Sequence, residues 1–287
     1  MVCALFQPYY SYTQPLSEIN MRLITAIILF QLFILFGCSS VRNAMTFFPD
    51  TESEIPKENI PEYISEKKIE TSDKESIQAF YFDHADNSNH SLVIYFHGNA
   101  GNLYGRFGYA KKLYEMNQNV LLISYRGYGK SSGRPSEKGI YIDGESAVDF
   151  AKDSLGYSEE EITILGRSLG TTVAVNTSQK RNFKGVILIT PLTSGKEMAT
   201  AMGMKSLTSV AGDSFNSIGK INNLKSPILI IHGTDDEVVP YDMGESLFKT
   251  YSGIKNLIII ERGRHNNLQD IDSKLFWGEI NKFINKI

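Results

Sequence analysis

The residues with most chemistry to offer are serines set between glycines. The pattern G-x-S-x-G occurs twice, as GKSSG at 129–133 and GRSLG at 166–170. A nucleophilic serine in this pattern needs a strand running directly into it and a helix starting directly after it, because the sharp turn lifts Oγ above the sheet edge. GRSLG meets both conditions: EITIL (161–165) precedes it, and LGTTVAVNTS follows with small and apolar residues at helical spacing. GKSSG lies four residues beyond its strand and runs into Arg134-Pro135. Proline disfavours helical geometry in the preceding residue, so this copy reads as a loop. Ser168 is therefore the candidate nucleophile, and Ser131 is assigned no chemistry. The overlapping GYGKSS stretch also fails as a phosphate-binding loop, which would need glycine where Ser124 stands.

A serine nucleophile needs a base, a group to orient that base, and donors for the oxyanion formed on attack at an acyl carbon. There are five histidines: His84, His90, His97, His232 and His265. His265 follows the apolar run NLIII (256–260) in the loop ERGRHNN, where an imidazole can lean over a sheet edge. Just past PILIIHG (227–233), the stretch T-D-D-E-V-V-P offers Asp235, Asp236 and Glu237. One of these carboxylates has to point inward to fix the imidazole tautomer, and spacing does not choose among them. The expected oxyanion donors are the backbone N–H of Leu169, next after the nucleophile, and that of Asn99 in the loop HGNAGN (97–102).

The elements that must position these residues are legible as an alternation. SIQAFYFD (76–83), LVIYFHG (92–98), VLLISY (120–125), EITIL, GVILIT (185–190), PILIIHG and NLIII read as strands. Most are continuous apolar runs, as expected of strands buried on both faces of a parallel sheet. Helical segments are expected around 104–116, 137–155, 169–180, 241–251 and from 273 to the C-terminus. The class is therefore α/β, a mainly parallel sheet with helices on both faces, and its ligands belong at the carboxyl ends of the strands. The insert between Thr190 and Pro227 is too short for a large lid. Its Met198, Met202, Met204, Leu207, Val210 and Phe215 would either line an acyl pocket or pack a surface helix onto the core.

Taken in order, HGNAGN, YRGYGKSSGRPSEKG, GRSLG, TPLTS, HGTDDEVVP and GRHNN resemble the Bem46-like branch of the α/β-hydrolases, from about residue 69 to the C-terminus. Serine, acid and histidine follow one another in that order in such proteins, which leaves His265 as the base. The resemblance also implies Asp236 as the acid, with Asp235 the second choice. The fold it implies is the α/β-hydrolase fold with a short cap insert. The activity it implies is hydrolysis of acyl esters or thioesters through an acyl-enzyme, without a cofactor or metal. An amidase or peptidase with the same triad, or a non-catalytic envelope scaffold, are the competing readings.

The 287 residues carry a net charge of -3 with scattered lysines, no footprint for nucleic acid. The two cysteines, Cys3 and Cys38, offer neither a disulfide framework nor a Cys-rich metal site. Cys38 follows Met21-Arg22 and the apolar run 23–36, which is shorter than the roughly 20 residues a spanning helix needs but fits a signal peptide. Leu35-Phe36-Gly37-Cys38 resembles the lipobox of bacterial lipoproteins, which implies cleavage after Gly37 and a lipidated Cys38. The expected organisation is a leader over 1–37 starting functionally at Met21, a lipid-anchored tether over 38–66 with local packing at Phe47-Phe48, and a catalytic domain over 67–287. An uncleaved membrane anchor or a buried helix is the alternative reading of the apolar run. The expected location is the cell envelope, facing outside the cytoplasm, with a small-molecule or lipid acyl substrate.

Overall fold

The computed structural model describes residues 40, 42–52, 55–85 and 90–286. The apolar run and Cys38 lie outside the described residues. Among the described residues, no helix is long and apolar enough to cross a membrane. Asn43–Ile287 forms one compact unit.

Its frame is an eight-stranded sheet: β1 (Ile64–Glu70), β2 (Ser76–Phe82), β3 (Leu92–Phe96), β4 (Asn119–Ile123), β5 (Ile162–Arg167), β6 (Gly185–Ile189), β7 (Ile228–Gly233) and β8 (Lys255–Ile260), in the order β8-β7-β6-β5-β3-β4-β2-β1. β1 and β2 pair antiparallel, as do β2 and β4, and every other pairing is parallel. Successive side chains of a strand point to opposite faces, so one apolar run feeds two cores. Ile94, Ile164, Leu188 and Ile230 enter one core, and Val93, Leu165, Ile187 and Leu229 enter the other. Helices α1 (Phe107–Tyr114) and, at the C-terminus, Ser273–Lys286 cover the second face with Ala110, Leu113, Phe276 and Ile280. α2 (Glu137–Asp153), α3 (Leu169–Thr177) and a helix over Tyr241–Thr250 cover the first with Ile140, Val148, Val173 and Leu247.

That division has a consequence for the site. The helix after β3 lies on one face and the helix after β5 on the other, although β3 and β5 are neighbours. Loops that diverge in this way open a crevice at the carboxyl ends of the strands.

Three features refine the expectations. β1 begins at Ile64 and was absent from the strands read in the sequence. It is an edge strand whose two buried residues, Ile64 and Ile69, enter opposite cores, with Glu66, Lys68 and Glu70 exposed. The stretch before it, expected as a tether, is partly built into the unit. Phe47 is buried against Phe215 with ring centroids 6.2 Å apart, and Phe48–Pro49 pairs in parallel with Ala100–Gly101. The insert after β6 holds only short helices, Gly195–Ala201 and Thr208–Ala211. Phe215 is buried and Met198 packs against the core, whereas Met202 is 60% exposed.

Candidate active site

Ser168 stands between β5 and α3 with φ 52° and ψ −121°, a backbone conformation that L-residues avoid. Such geometry costs on the order of 1–3 kcal/mol and persists only where the surroundings enforce it. Here the two flanking glycines make it attainable. A Cβ on Gly166 would sit 2.4 Å from Gly170 O, and one on Gly170 would sit 2.1 Å from Phe96 O. Strand, turn and helix therefore close on one another and on the end of β3 in a way no larger residue allows. Gly98 lies alongside, where an added Cβ would be 3.5 Å from Ser168 Cβ.

Over this turn lies the loop after β8. His265 is buried, with Nε2 3.0 Å from Ser168 Oγ and Nδ1 2.8 and 3.0 Å from the two oxygens of Asp236. Asp236 is the inward carboxylate of its trio. Its Oδ1 accepts hydrogen bonds from Val238 N–H (2.9 Å) and Val239 N–H (2.8 Å), and His232 Nε2 lies 3.2 Å from Oδ2. Burial works against its ionisation, but the hydrogen bonds from His232 and His265, the charge His265 can carry and the Val239 N–H outweigh it. The carboxyl is held below the usual range. Asp235 is exposed and accepts a hydrogen bond from the Thr234 hydroxyl.

Ser131, in the other glycine-serine motif, is buried and its hydroxyl accepts from Gln78 N–H and donates to Ser124 C=O. It fastens a loop to β2, and nothing in its hydrogen bonding prepares it for attack.

Leu169 is the first residue of α3, so its N–H has no partner within the helix. Asn99 lies on the loop after β3, and its setting is held from several sides. Its carbonyl accepts from Phe48 N–H (3.0 Å) and the Tyr128 hydroxyl (2.6 Å), and its amide donates to Thr46 C=O (3.2 Å). The peptide preceding it is fixed through Gly98 C=O, 2.7 Å from His97 Nδ1. The His97 pKa is pushed down to about 3 by burial and the charge of Arg106, against the opposing pull of that carbonyl. His97 is thus a neutral spacer here, not a base.

Two residues clamp the His265 backbone, Glu237 of the candidate trio and Arg167, to which the motifs assign no role. Arg167, just before Ser168, donates to His265 C=O at 3.1 Å, and Glu237, just after Asp236, accepts from His265 N–H at 3.3 Å. Arg126 does similar work at the next loop, its guanidinium reaching both Asp143 and Asp73. No local pattern announces these contacts, because partners such as Arg167 and His265 are 98 positions apart. Among the described residues no group of three or more His, Cys, Asp or Glu could hold a metal ion.

A family model described as alpha/beta hydrolase fold matches residues 91–215. An uncharacterized protein of Mycobacterium tuberculosis is 30% identical over 217 residues, covering 75% of this chain and 77% of that protein. Alpha/beta hydrolase domain-containing protein 17B of Homo sapiens is 33% identical over 204 residues, covering 69% and 68%. Alpha/beta hydrolase domain-containing protein aho-3 of Caenorhabditis elegans is 32% identical, and the chain spans about half (54%) of its length. Among solved structures, the Pyrococcus furiosus esterase Pf2001 superposes with a TM-score of 0.68 at 20% identity, over 84% of this chain and 98% of the esterase. That likeness is one of fold.

Proposed function

The chain belongs to the α/β-hydrolase family, and from that premise we propose that it is a serine hydrolase cleaving acyl esters or thioesters through a covalent acyl-enzyme. The observation that carries the reading is the relay Ser168 Oγ to His265 Nε2 at 3.0 Å, with His265 Nδ1 against Asp236 behind it. In this reading His265 takes the Ser168 proton as Oγ attacks the acyl carbon. Asp236 holds the imidazole with Nδ1–H inward and stabilises the imidazolium that forms. The Leu169 and Asn99 N–H groups receive the oxyanion, each worth about 3–4 kcal/mol where such donors have been removed elsewhere. His265 then protonates the leaving alcohol or thiol, and water, deprotonated by the same imidazole, releases the acid.

Within the family we place the chain in the Bem46-like branch, on the six ordered motifs and the 33% identity to the human protein. A panel of p-nitrophenyl esters, acyl thioesters and anilides, turned over by the leaderless protein, tests the activity. Esters or thioesters should be cleaved, with activity lost in Ser168→Ala and largely kept in Ser131→Ala. Turnover confined to anilides would replace the reading with an amidase, and turnover that survives Ser168→Ala would end it.

A further inference from the structure

His232 is a fully buried titratable residue for which the reaction has no direct use. It is the penultimate residue of β7, and its Nε2 lies 2.9 Å from Val239 O as well as 3.2 Å from Asp236 Oδ2. A carbonyl and an ionised carboxylate can only accept, so Nε2 must carry a hydrogen. The other ring nitrogen is walled off. Nδ1 has no hydrogen-bond partner among the described residues, and a Cβ on Gly244 of the helix Tyr241–Thr250 would sit 2.3 Å from it. The helix backbone can come this close only because residue 244 is glycine, and it leaves no room for an acceptor at Nδ1.

We propose that His232 is a positioning residue for Asp236: a second imidazole that donates from Nε2 to the acid, fixes the plane of its carboxylate and moderates its pull on His265. Val238 N–H and Val239 N–H hold Oδ1, the His232 Nε2 hydrogen is shared between Val239 C=O at 2.9 Å and Oδ2 at 3.2 Å, and His265 Nδ1 meets both oxygens. Without His232, the carboxylate stays tied through Oδ1 but is free to tilt, and one oxygen loses a donor. The tilt slows the chemical step. The lost donor makes the carboxylate a stronger partner for the His265 imidazolium, so the acidic limb of the kcat/KM profile, which reports the free enzyme's base, moves to higher pH. The other charged groups around the pair, Glu237 at His265 N–H and Arg167 at its carbonyl, are untouched, as is Tyr241, edge-on to His232.

The proposal rests on the Ser168–His265–Asp236 reading. His232→Leu is expected to lower kcat about tenfold, the worth of one hydrogen bond to a charged group, with KM nearly unchanged and the acidic limb displaced upward. His232→Gln, whose amide nitrogen reaches the Nε2 position, should restore both. In an Asp236→Asn background the same Leu substitution should have no further kinetic effect, since coupling between neighbours appears as failed additivity. A melting-temperature loss with kcat and the limb unmoved, or a full effect in the Asn background, would overturn the proposal. If the Leu variant does not fold, long-range proton–nitrogen spectra of histidine-labelled wild type decide. The His232 resonance, assigned with the Gln variant, should carry its hydrogen on Nε2 and move in Asp236→Asn. An Nδ1–H tautomer, or no movement, refutes it. Wild type that fails to react with a fluorophosphonate sinks the triad reading itself, whereas reactive wild type with an unshifted Leu variant sinks only this inference.

Discussion

At the scale of the residue, the candidate site turns on which atoms of a short acidic run face inward. T-D-D-E-V-V-P presents three carboxylates in succession, and spacing gave no preference among them. The turn after β7 makes the choice by capping: two successive backbone N–H groups, at Val238 and Val239, converge on Asp236 Oδ1, while Asp235 turns to solvent. Glu237 serves the same loop differently, by bonding His265 N–H. Asp236→Asn should therefore lower kcat by roughly 10⁴ through loss of tautomer control, and Asp235→Asn should stay within a few-fold, both read from steady-state ester hydrolysis. The reverse ranking would move the role to Asp235. Because the folded Asp236 is held below its unfolded value, the stability it contributes is fully present above about pH 4 and is lost as the pH falls below that toward the folded value.

At the scale of the element, the seven strands read from the sequence correspond to β2 through β8 because each carries an apolar run, buried in β2 to β7 and half-exposed in the edge strand β8, a signal that survives without any knowledge of partners. β1 is not legible because its sequence, ISEKKIE, is mostly charged and its two buried isoleucines stand five positions apart on opposite faces, too few and too far apart to make a pattern. In the segment from Thr46 to Asp50, packing at Phe47-Phe48 is legible but its partners are not. Its long-range hydrogen bonds go to Asn99, Gly101, Asn102 and Gly129, about 50 to 80 positions away, so nothing local records that it braces the loop after β3. The elbow, by contrast, was legible because its glycines, serine and flanking strand are contiguous. Its tolerance is correspondingly small. Gly170→Ala would put a methyl 2.1 Å from Phe96 O and 2.6 Å from His97 O, so α3 has to move away from β3 and carry the Leu169 N–H with it. A displacement of about 1 Å at a catalytic group costs on the order of 10²-fold. The variant should accordingly show a lower melting temperature and a rate of fluorophosphonate labelling reduced by about that factor. Wild-type labelling with an unchanged melt would mean that the contact is relieved without moving the helix.

At the scale of the whole molecule, Ser168, Asp236, His265 and Asn99 come from four loops separated by up to 166 positions, brought to one sheet edge by parallel strands whose connections all return the chain to the same end. We propose that Cys38 is lipidated after cleavage at Gly37, anchoring the enzyme to an envelope membrane at about 0.8 kcal/mol per buried methylene of acyl chain. Metabolic labelling with an alkynyl fatty acid should mark the wild type and not Cys38→Ser, which should also retain its leader. Purified wild type with residues 23–36 attached and no lipid would remove the anchor and leave the catalytic reading standing. That reading is tested most directly by treating the folded protein with a fluorophosphonate and locating the adduct by peptide mass spectrometry. One adduct per chain on Ser168, absent from Ser168→Ala and from protein unfolded before treatment, is the expected result. An adduct on Ser131 or another residue, or a folded protein that takes up no probe, would contradict it.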